Sequence, residues 1–128
     1  MAKTVILDTN FLMVPFQFRV DILSEIARIC DFSHKVAVLD RSVEELGKIM
    51  REQKGRHRAA AGFALQFLKK KGLKIIRTHS QKSADDLLAE HAEKGAIIAT
   101  QDAELKRRVR QKGGRIIFLR GKKFLKLE

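Results

Sequence analysis

The sequence predicts an α/β fold, a three-layer α/β/α sandwich in which helices cover both faces of a five-stranded parallel sheet. Short continuous apolar runs rich in branched residues are typical of strands that are buried on both faces. Segments with a helical spacing of apolar residues separate these runs, as parallel strands require. The chain has 128 residues, 45% hydrophobic and 33% charged, which suits one soluble domain with a single core over residues 1–128.

Strand and helix segments alternate from the first residues onward. The strands are predicted at residues 5–7, 35–39, 73–77, 96–100 and 115–119. A short helix or loop around Pro15 follows the first strand, and longer helices are predicted at residues 20–30, 42–53, 56–71, 83–94 and 102–112. Glycines end several of these helices, as glycine commonly does. The residues after 119 are predicted to be a basic tail.

The net charge of +12 is the most informative total. It predicts a polyanionic partner, with nucleic acid favoured over an anionic membrane surface. A thermophilic surface is the alternative, but such surfaces tend to mix Glu with Lys, and this composition is unbalanced. No apolar run is long enough to cross a bilayer, and no signal peptide is recognisable. Cys30 is alone and ends an apolar helical pattern, so we expect it in the core of a cytoplasmic protein.

Acidic residues follow the strands at positions where a site would form. Asp8 directly follows the first strand, and Asp102 lies two residues beyond the fourth. The carboxyl ends of strands in doubly wound sheets open into the crevice where ligands bind. Helix capping is the alternative interpretation of both residues. Asp40 also ends a strand and is a weaker candidate, because nothing else in the sequence supports it.

Helical geometry indicates that Glu45, rather than the adjacent Glu44, is the candidate site residue. Glu45 lies beside the apolar stripe of its helix, whereas Glu44 points outward and is spaced for an ion pair with Lys48. The alternative for Glu45 is a capping box with Ser42, the residue that is predicted to open the helix.

The same argument separates Asp85 from Asp86. Asp85 shares a face with apolar residues and is expected to point toward the sheet, whereas Asp86 lines up with Glu90 and Glu93 on the exposed face. Either acid would also complement the helix dipole in the first turn.

Asp8, Glu45, Asp85 and Asp102 are therefore expected near one edge of the sheet, as candidate catalytic and metal-binding residues. Several carboxylates at close range repel and need cations in order to stay ionised together. Oxygen ligands without a His or Cys pattern suit Mg²⁺ or Mn²⁺, and the four histidines show no zinc spacing. Such a site can activate water for in-line attack on a phosphodiester.

Four segments, in this order along the chain, resemble the motifs of PIN-domain nucleases. They are Leu7-Asp8-Thr9-Asn10, Glu45-Leu46, Ala84-Asp85-Asp86 and Ala99-Thr100-Gln101-Asp102-x-x-Leu105. The run from Asp102 is most similar to the branch with archaeal PIN proteins and eukaryotic ribosome-assembly nucleases, and toxin-type PIN ribonucleases are also similar. Gln101 stands where many relatives carry Asn, and the acids are all present.

The resemblance implies a sheet in the strand order 3-2-1-4-5 and metal-dependent endonuclease cleavage of RNA. By motif position, Asp8, Glu45, Asp85 and Asp102 match the acids of the metal site. Asn10 and Thr100 match the polar residues that orient them.

Three functional hypotheses follow. The first is an endoribonuclease that cleaves single-stranded RNA by metal-activated water, with Mg²⁺ or Mn²⁺ as cofactor. The second is a non-catalytic RNA-binding module that retains the acids for stability. The third is phosphoryl transfer through an aspartyl-phosphate on Asp8. Haloacid-dehalogenase-like enzymes carry a second acid two residues after the nucleophile, and the Asp8-Thr9-Asn10 stretch lacks it, which disfavours this hypothesis.

Two basic clusters are predicted to bind the nucleic acid. They are Lys106, Arg107, Arg108, Arg110 and Lys112 on one helix, and Lys69, Lys70 and Lys71 at the end of another. The predicted partners are single-stranded RNA, a second copy of the chain in a homodimer, and either an antitoxin or a ribosomal precursor. The sequence does not distinguish a toxin from a processing nuclease.

Overall fold

A six-stranded sheet organises residues 2–128, which the computed structural model describes. Its order is β3-β2-β1-β4-β5-β6. The strands are β1 (Lys3–Leu7), β2 (His34–Leu39), β3 (Lys74–Ile76), β4 (Ile97–Ala99), β5 (Arg115–Arg120) and β6 (Phe124–Leu127). β1 to β5 are parallel, and β6 pairs with β5 in the antiparallel direction. The predicted fold class and the order 3-2-1-4-5 are confirmed, and β6 extends the sheet.

Seven helices connect and cover the strands in the described part of the chain. They are α1 (Thr9–Leu12), α2 (Val14–Phe18), α3 (Ile22–Ile29), α4 (Asp40–Glu52), α5 (Gly55–Lys71), α6 (Ala84–Glu93) and α7 (Ala103–Gln111). Each predicted helix is present, with ends that differ by at most two residues. Within residues 2–128, no helix has the length and apolar character needed to cross a bilayer.

The helices form two layers, one on each face of the sheet, and successive side chains of β1 point alternately into the two layers. Val5 and Leu7 are fully buried among residues of α1 to α5, such as Phe11 and Leu46. Ile6, between them, is fully buried on the opposite face against α6 and α7. Cys30 is buried on the same side of the sheet as Val5 and Leu7, as a free thiol in the core, as predicted. The sheet therefore has apolar contacts on both faces, and its polar side chains collect where the strands end.

The predicted basic tail is instead the strand β6. Gly121 and Lys122 have positive φ angles of 63° and 60°, and they reverse the chain after β5. In β6, Leu125 is buried whereas Phe124 and Lys126 are exposed, which is the two-residue alternation of an edge strand. The tail prediction overlooked this alternation because it extends over only four residues.

Side chains of α3 cover the outer edge of β6. The backbone N–H of Leu125 donates to Glu25 Oε1 at 2.9 Å, and Arg28 Nη2 donates to the carbonyl oxygen of Leu125 at 3.2 Å. Arg28 also pairs with Glu25 at 2.8 Å. The hydrogen bonds from Arg28 and from the Leu125 backbone lower the pKa of Glu25 to about 2. This ion pair therefore occupies the free backbone groups of Leu125.

The structure corrects the predicted start of α4. The helix begins at Asp40, and Ser42 lies inside it as a buried residue. The capping-box interpretation of Ser42 and Glu45 is therefore wrong. Asp40 accepts hydrogen bonds from the Thr78 backbone N–H at 2.9 Å and from its hydroxyl at 2.6 Å. These bonds lower the pKa of Asp40 and assign it a structural role between α4 and the segment after β3.

Candidate active site

Asp8 is a buried carboxylate at the carboxyl end of β1. It is 7% exposed, and its backbone N–H donates to Ala99 of β4 at 2.9 Å. Its Oδ1 accepts from the Thr9 N–H and its Oδ2 from the Thr100 hydroxyl, both at 2.8 Å. Burial raises the pKa of Asp8, the hydrogen bonds lower it, and the charges of Asp85 and Asp102 raise it further. Asp8 therefore caps α1 and is also one of several interacting acids.

The Thr100 hydroxyl connects Asp8 to Asp102. Its oxygen donates to Asp8 and accepts the backbone N–H of Asp102 at 3.0 Å. Asp102 Oδ1 in turn accepts from Leu105 N–H at 2.9 Å and caps α7, as the capping alternative predicted. Thr100 is fully buried between these acids, where an orienting residue would lie. The cap and the site are thus compatible interpretations of Asp102.

Glu45 approaches the site from α4 with an exposed side chain, rather than one at a buried edge. Partial loss of water around the carboxyl raises its pKa, and the charges of Asp8 and Asp85 act in the same direction. A hydrogen bond from Thr9 and the charge of Arg41 act in the opposite direction. Glu45 therefore belongs to the same electrostatic cluster as Asp8.

Glu44 is also exposed, and it does not form the predicted ion pair. Lys48 Nζ instead lies 3.9 Å from Glu52. Glu44 therefore provides a comparison for Glu45 on the same helix.

Thr9 and Ser42 are two polar residues that the motif analysis missed. Both are buried, and their hydroxyl oxygens lie 2.8 Å apart in a hydrogen bond between α1 and α4. Since Thr9 follows Asp8 and Ser42 is on the helix of Glu45, this bond fixes α1 against α4. Ser42 lies three residues before Glu45 on the same side of the helix, and this spacing also fits the capping box that was the alternative for Glu45.

Asp85 and Asp86 have the different surroundings that helical geometry predicted. Partial burial raises the pKa of Asp85, and the charge of Asp102 raises it further while Arg108 lowers it. Asp86 instead accepts from Arg108 Nη2 at 2.7 Å, and this bond lowers its pKa. Ser83 caps α6 through the N–H of Asp86 at 3.1 Å. Only Asp85 is electrostatically coupled to the other candidate acids.

The four acids share charge interactions without forming a closed cage. Among residues 2–128, no three His, Cys, Asp or Glu side chains are close enough together to hold one metal ion. Mg²⁺ usually keeps several water ligands and binds through only one or two carboxylates, so it does not require such a cage. The donor set consists of oxygen atoms alone, and a cation would relieve the repulsion between them. The residues therefore fit a hydrated divalent cation.

The raised pKa of Asp8 predicts how pH affects the metal-free protein. A folded-state pKa above the ordinary 3.8 means that the folded state keeps this proton to higher pH than the unfolded chain. The free energy of unfolding of the wild type should therefore fall, relative to Asp8→Asn, as pH rises from about 4 to 7. Urea unfolding of both proteins in EDTA measures the difference. A difference that does not depend on pH, or one that Asp31→Asn reproduces, would contradict this prediction.

The remaining predicted site residues lie farther from these contacts. Asn10 is exposed, and no hydrogen bond joins its side chain to an acid within residues 2–128. Its orienting role stays a prediction. In the basic cluster of α7, four of the five residues pair with acids and one lies over an aromatic ring. Arg107 pairs with Glu104, Arg108 with Asp86, Arg110 with Glu128 and Lys112 with Glu93, while Lys106 lies 4.8 Å from the centre of the Phe118 ring.

Comparison with known proteins agrees with this geometry. The family model described as "PIN like domain" matches residues 5–122. The chain belongs to the PIN-like domain family. The match spans Asp8, Glu45, Asp85 and Asp102, so the family assignment made from the motifs is confirmed. The four acids of this PIN-like domain lie where β1, α4, α6 and β4 meet.

Two curated relatives of this PIN-like domain have archaeal sources. Ribonuclease VapC9 of Archaeoglobus fulgidus is 32% identical over 114 residues, which are 88% of this chain and 79% of the relative. Ribonuclease VapC4 of Methanocaldococcus jannaschii is 28% identical over 124 residues, or 94% and 92% of the two chains. Both similarities extend over most of the PIN-like domain.

Two solved structures share the fold of this PIN-like domain. One is described as the PIN domain endonuclease Utp24; the TM-score is 0.79 at 25% identity, with 98% of this chain and 90% of that chain covered. A domain of a functionally unknown protein from Methanocaldococcus jannaschii gives a TM-score of 0.64 at 20% identity, with 94% and 93% covered, and supports the fold alone. Together with the curated relatives, the first structure supports nuclease activity. PIN nucleases generally depend on divalent metal ions.

Proposed function

We propose that this PIN-like domain is a metal-dependent endoribonuclease that cleaves single-stranded RNA. The observation that carries the proposal is the buried carboxylate of Asp8, whose charge interacts with those of Glu45, Asp85 and Asp102 at the carboxyl edge of the sheet. Two relatives are named ribonucleases and one solved relative is described as an endonuclease, which supports the reaction class. The net charge of +12 supports a polyanionic substrate.

The positions of the four acids suggest two roles, metal binding and the positioning of water. Asp8 and Asp102, which Thr100 holds in a fixed relation, would hold the principal Mg²⁺ or Mn²⁺. Glu45 and Asp85 would complete the negative charge and position the attacking water. The bound ion would supply the activation of water and the neutralisation of charge on the phosphate. Burial and repulsion raise the pKa of Asp8, Glu45 and Asp85, and a metal ion binds the ionised carboxylates, so metal affinity should increase as pH rises.

The relatives support the reaction class more directly than they support one cellular role. We propose a cytoplasmic protein that acts in RNA processing or ribosome assembly on a ribosomal precursor, or as the toxin of a toxin–antitoxin pair. A homodimer is the proposed assembly. A small antitoxin gene beside this one would favour the toxin role.

A non-catalytic RNA-binding module is the second candidate, since no three candidate ligands converge on one point within residues 2–128. A cleavage assay distinguishes the two. Purified protein should cut end-labelled single-stranded RNA internally with Mg²⁺ or Mn²⁺, cut the matching duplex much more slowly, and stop in EDTA. Sequencing of the product ends identifies the cut sites. RNA binding without metal-dependent internal cleavage would support the non-catalytic module instead.

A further inference from the structure

The positive charge of the protein is concentrated in one acid-free segment. Residues 53–84 contain no Asp or Glu, but they contain nine Lys and Arg residues. The nine are Lys54, Arg56, Arg58, Lys69, Lys70, Lys71, Lys74, Arg77 and Lys82. Six of them lie on α5 or directly before it, and within residues 2–128 none of these six pairs with an acid, whereas Lys82 pairs with Glu90. This contrasts with α7, where three of the four arginine and lysine residues pair with an acid. Free positive charge is therefore found along α5.

Aromatic rings lie between the basic ends of α5. Phe63 is 40% exposed, and its ring centre is 5.6 Å from that of Phe16 and 6.4 Å from that of Phe67. The guanidinium of Arg56 lies 5.7 Å from the centre of the Phe16 ring, at the end of this row. Exposed rings beside free cations are the combination that single-stranded nucleic acids recognise, since bases stack on the rings and phosphates bind the cations.

A shallow cavity, largely open to solvent, lies beside Phe63 on the same surface. It has a volume of about 480 Å³, and Met50, Arg58 and Gln66 line it together with Phe63. This volume lies within the range of small-molecule pockets and is large enough for a nucleobase. Arg58 has no acidic partner within residues 2–128. The cavity thus has an aromatic wall, an amide group and a free cation.

The cavity and the candidate active site both involve α4. Met50 follows Glu45 by five residues, which corresponds to about 7.5 Å along a helix axis and a rotation of about 140° around it. A strand that places one base in the cavity would pass around α4 to bring a phosphate to the acids.

We propose that the α5 surface, formed by Phe16, Arg56, Arg58, Phe63 and Phe67, binds an unpaired nucleobase of the RNA in the cavity beside Phe63 and thereby positions single-stranded RNA for cleavage. This inference rests on the proposed function, since it assumes that RNA is the substrate. Phe63 provides the stacking face, and Arg58 binds the adjoining phosphate. A duplex cannot place a paired base there, so this surface would favour single strands over duplexes.

Binding measured in EDTA tests the proposal apart from cleavage. The probes are a labelled twelve-nucleotide polyuridine, an abasic strand of equal length and an RNA duplex, followed by fluorescence anisotropy. Phe63→Ala should weaken polyuridine binding roughly 5- to 100-fold and leave the abasic strand unaffected. Phe63→Leu keeps the apolar volume but not the aromatic face, and should weaken polyuridine binding as well. Phe124→Ala, which removes a ring that is 60% exposed on β6, is the matched control and should have no effect.

Charge variants test the second half of the surface. Arg58→Ala should weaken the binding of both polyuridine and the abasic strand, and should reduce the slope of log affinity against log salt by about 0.7. Arg107→Ala, whose guanidinium is already paired with Glu104, should change the slope less. A larger effect at Arg107 would place the RNA over α7 and overturn the proposal.

Two results separate this proposal from the proposed function. Unchanged polyuridine affinity in both Phe63 variants would overturn the α5 surface and leave it for a protein partner, even if the enzyme cleaves RNA. Base-dependent binding at Phe63 without cleavage on addition of Mn²⁺ would support the α5 surface and contradict the endoribonuclease.

Discussion

Asp8→Asn is expected to reduce metal-dependent RNA cleavage by at least about 100-fold. Changes to residues that merely support a metal ligand typically cost 10- to 100-fold, and Asp8 is proposed as a direct ligand. The variant should fold, because asparagine can accept from the Thr9 N–H through its oxygen and donate to the Thr100 hydroxyl through its amide. Initial cleavage rates at saturating Mn²⁺, with circular dichroism to verify folding, provide the measurement.

The matched control for this variant is Asp31→Asn. Asp31 is exposed before β2, at the opposite edge of the sheet, so this variant makes the same change in net charge away from the site. Asp102→Asn should behave like Asp8→Asn, whereas Asp31→Asn should retain the wild-type rate. Undiminished cleavage by Asp8→Asn would contradict the assignment of the site and point to a contaminating nuclease.

Mn²⁺ is expected to stabilise the folded wild type by about 2.7 kcal/mol when its concentration is a hundredfold above the dissociation constant. For a domain of this size, such a change corresponds to a rise in melting temperature of about 10 °C. The increase should largely disappear in Asp8→Asn. Without metal, the same variant should be at least as stable as the wild type, because it removes a buried charge that neighbouring acids repel.

Two pairs of adjacent acids provide the controls for the metal response. Asp85→Asn should lose most of the shift, whereas Asp86→Asn should keep it and lose only the partly exposed ion pair with Arg108. Glu45→Gln should weaken the shift, and Glu44→Gln should not. Thermal or urea unfolding with and without Mn²⁺ measures all four variants. Equal Mn²⁺-induced shifts within both pairs would show that the position of a residue around its helix does not identify the metal-binding acids.

The sheet was predictable because its central strands are continuous apolar runs. Val5, Ile6 and Leu7 are apolar without interruption, which is typical of a strand buried on both faces. The edge strand β6 was not predictable in the same way. Its four residues include Phe124 and Lys126 on an exposed side, so its pairing depends on the reversal at Gly121 and on contacts with α3.

The candidate acids could be chosen from the sequence, but their connections could not. Helical periodicity distinguished Asp85 from Asp86 because the two lie about 100° apart around one helix. Ser42 fits a cap and a buried tertiary contact equally well in sequence. Only the pairing of its hydroxyl with that of Thr9, 33 residues away, distinguishes them. Such contacts depend on how α1 and α4 pack, which local patterns do not encode.

The Arg28–Glu25 pair of α3, which covers the edge of β6, also bears on self-association. Exposed edge strands are templates for aggregation, and natural proteins protect them with charges or cover. Here two side chains occupy the N–H and the carbonyl of Leu125 that an incoming strand would need. Because the pKa of Glu25 is about 2, this protection should persist until strongly acidic conditions protonate it. A homodimer that joins two sheets edge to edge through β6 would have to displace both side chains, so subunits that associate without this cost must use another face.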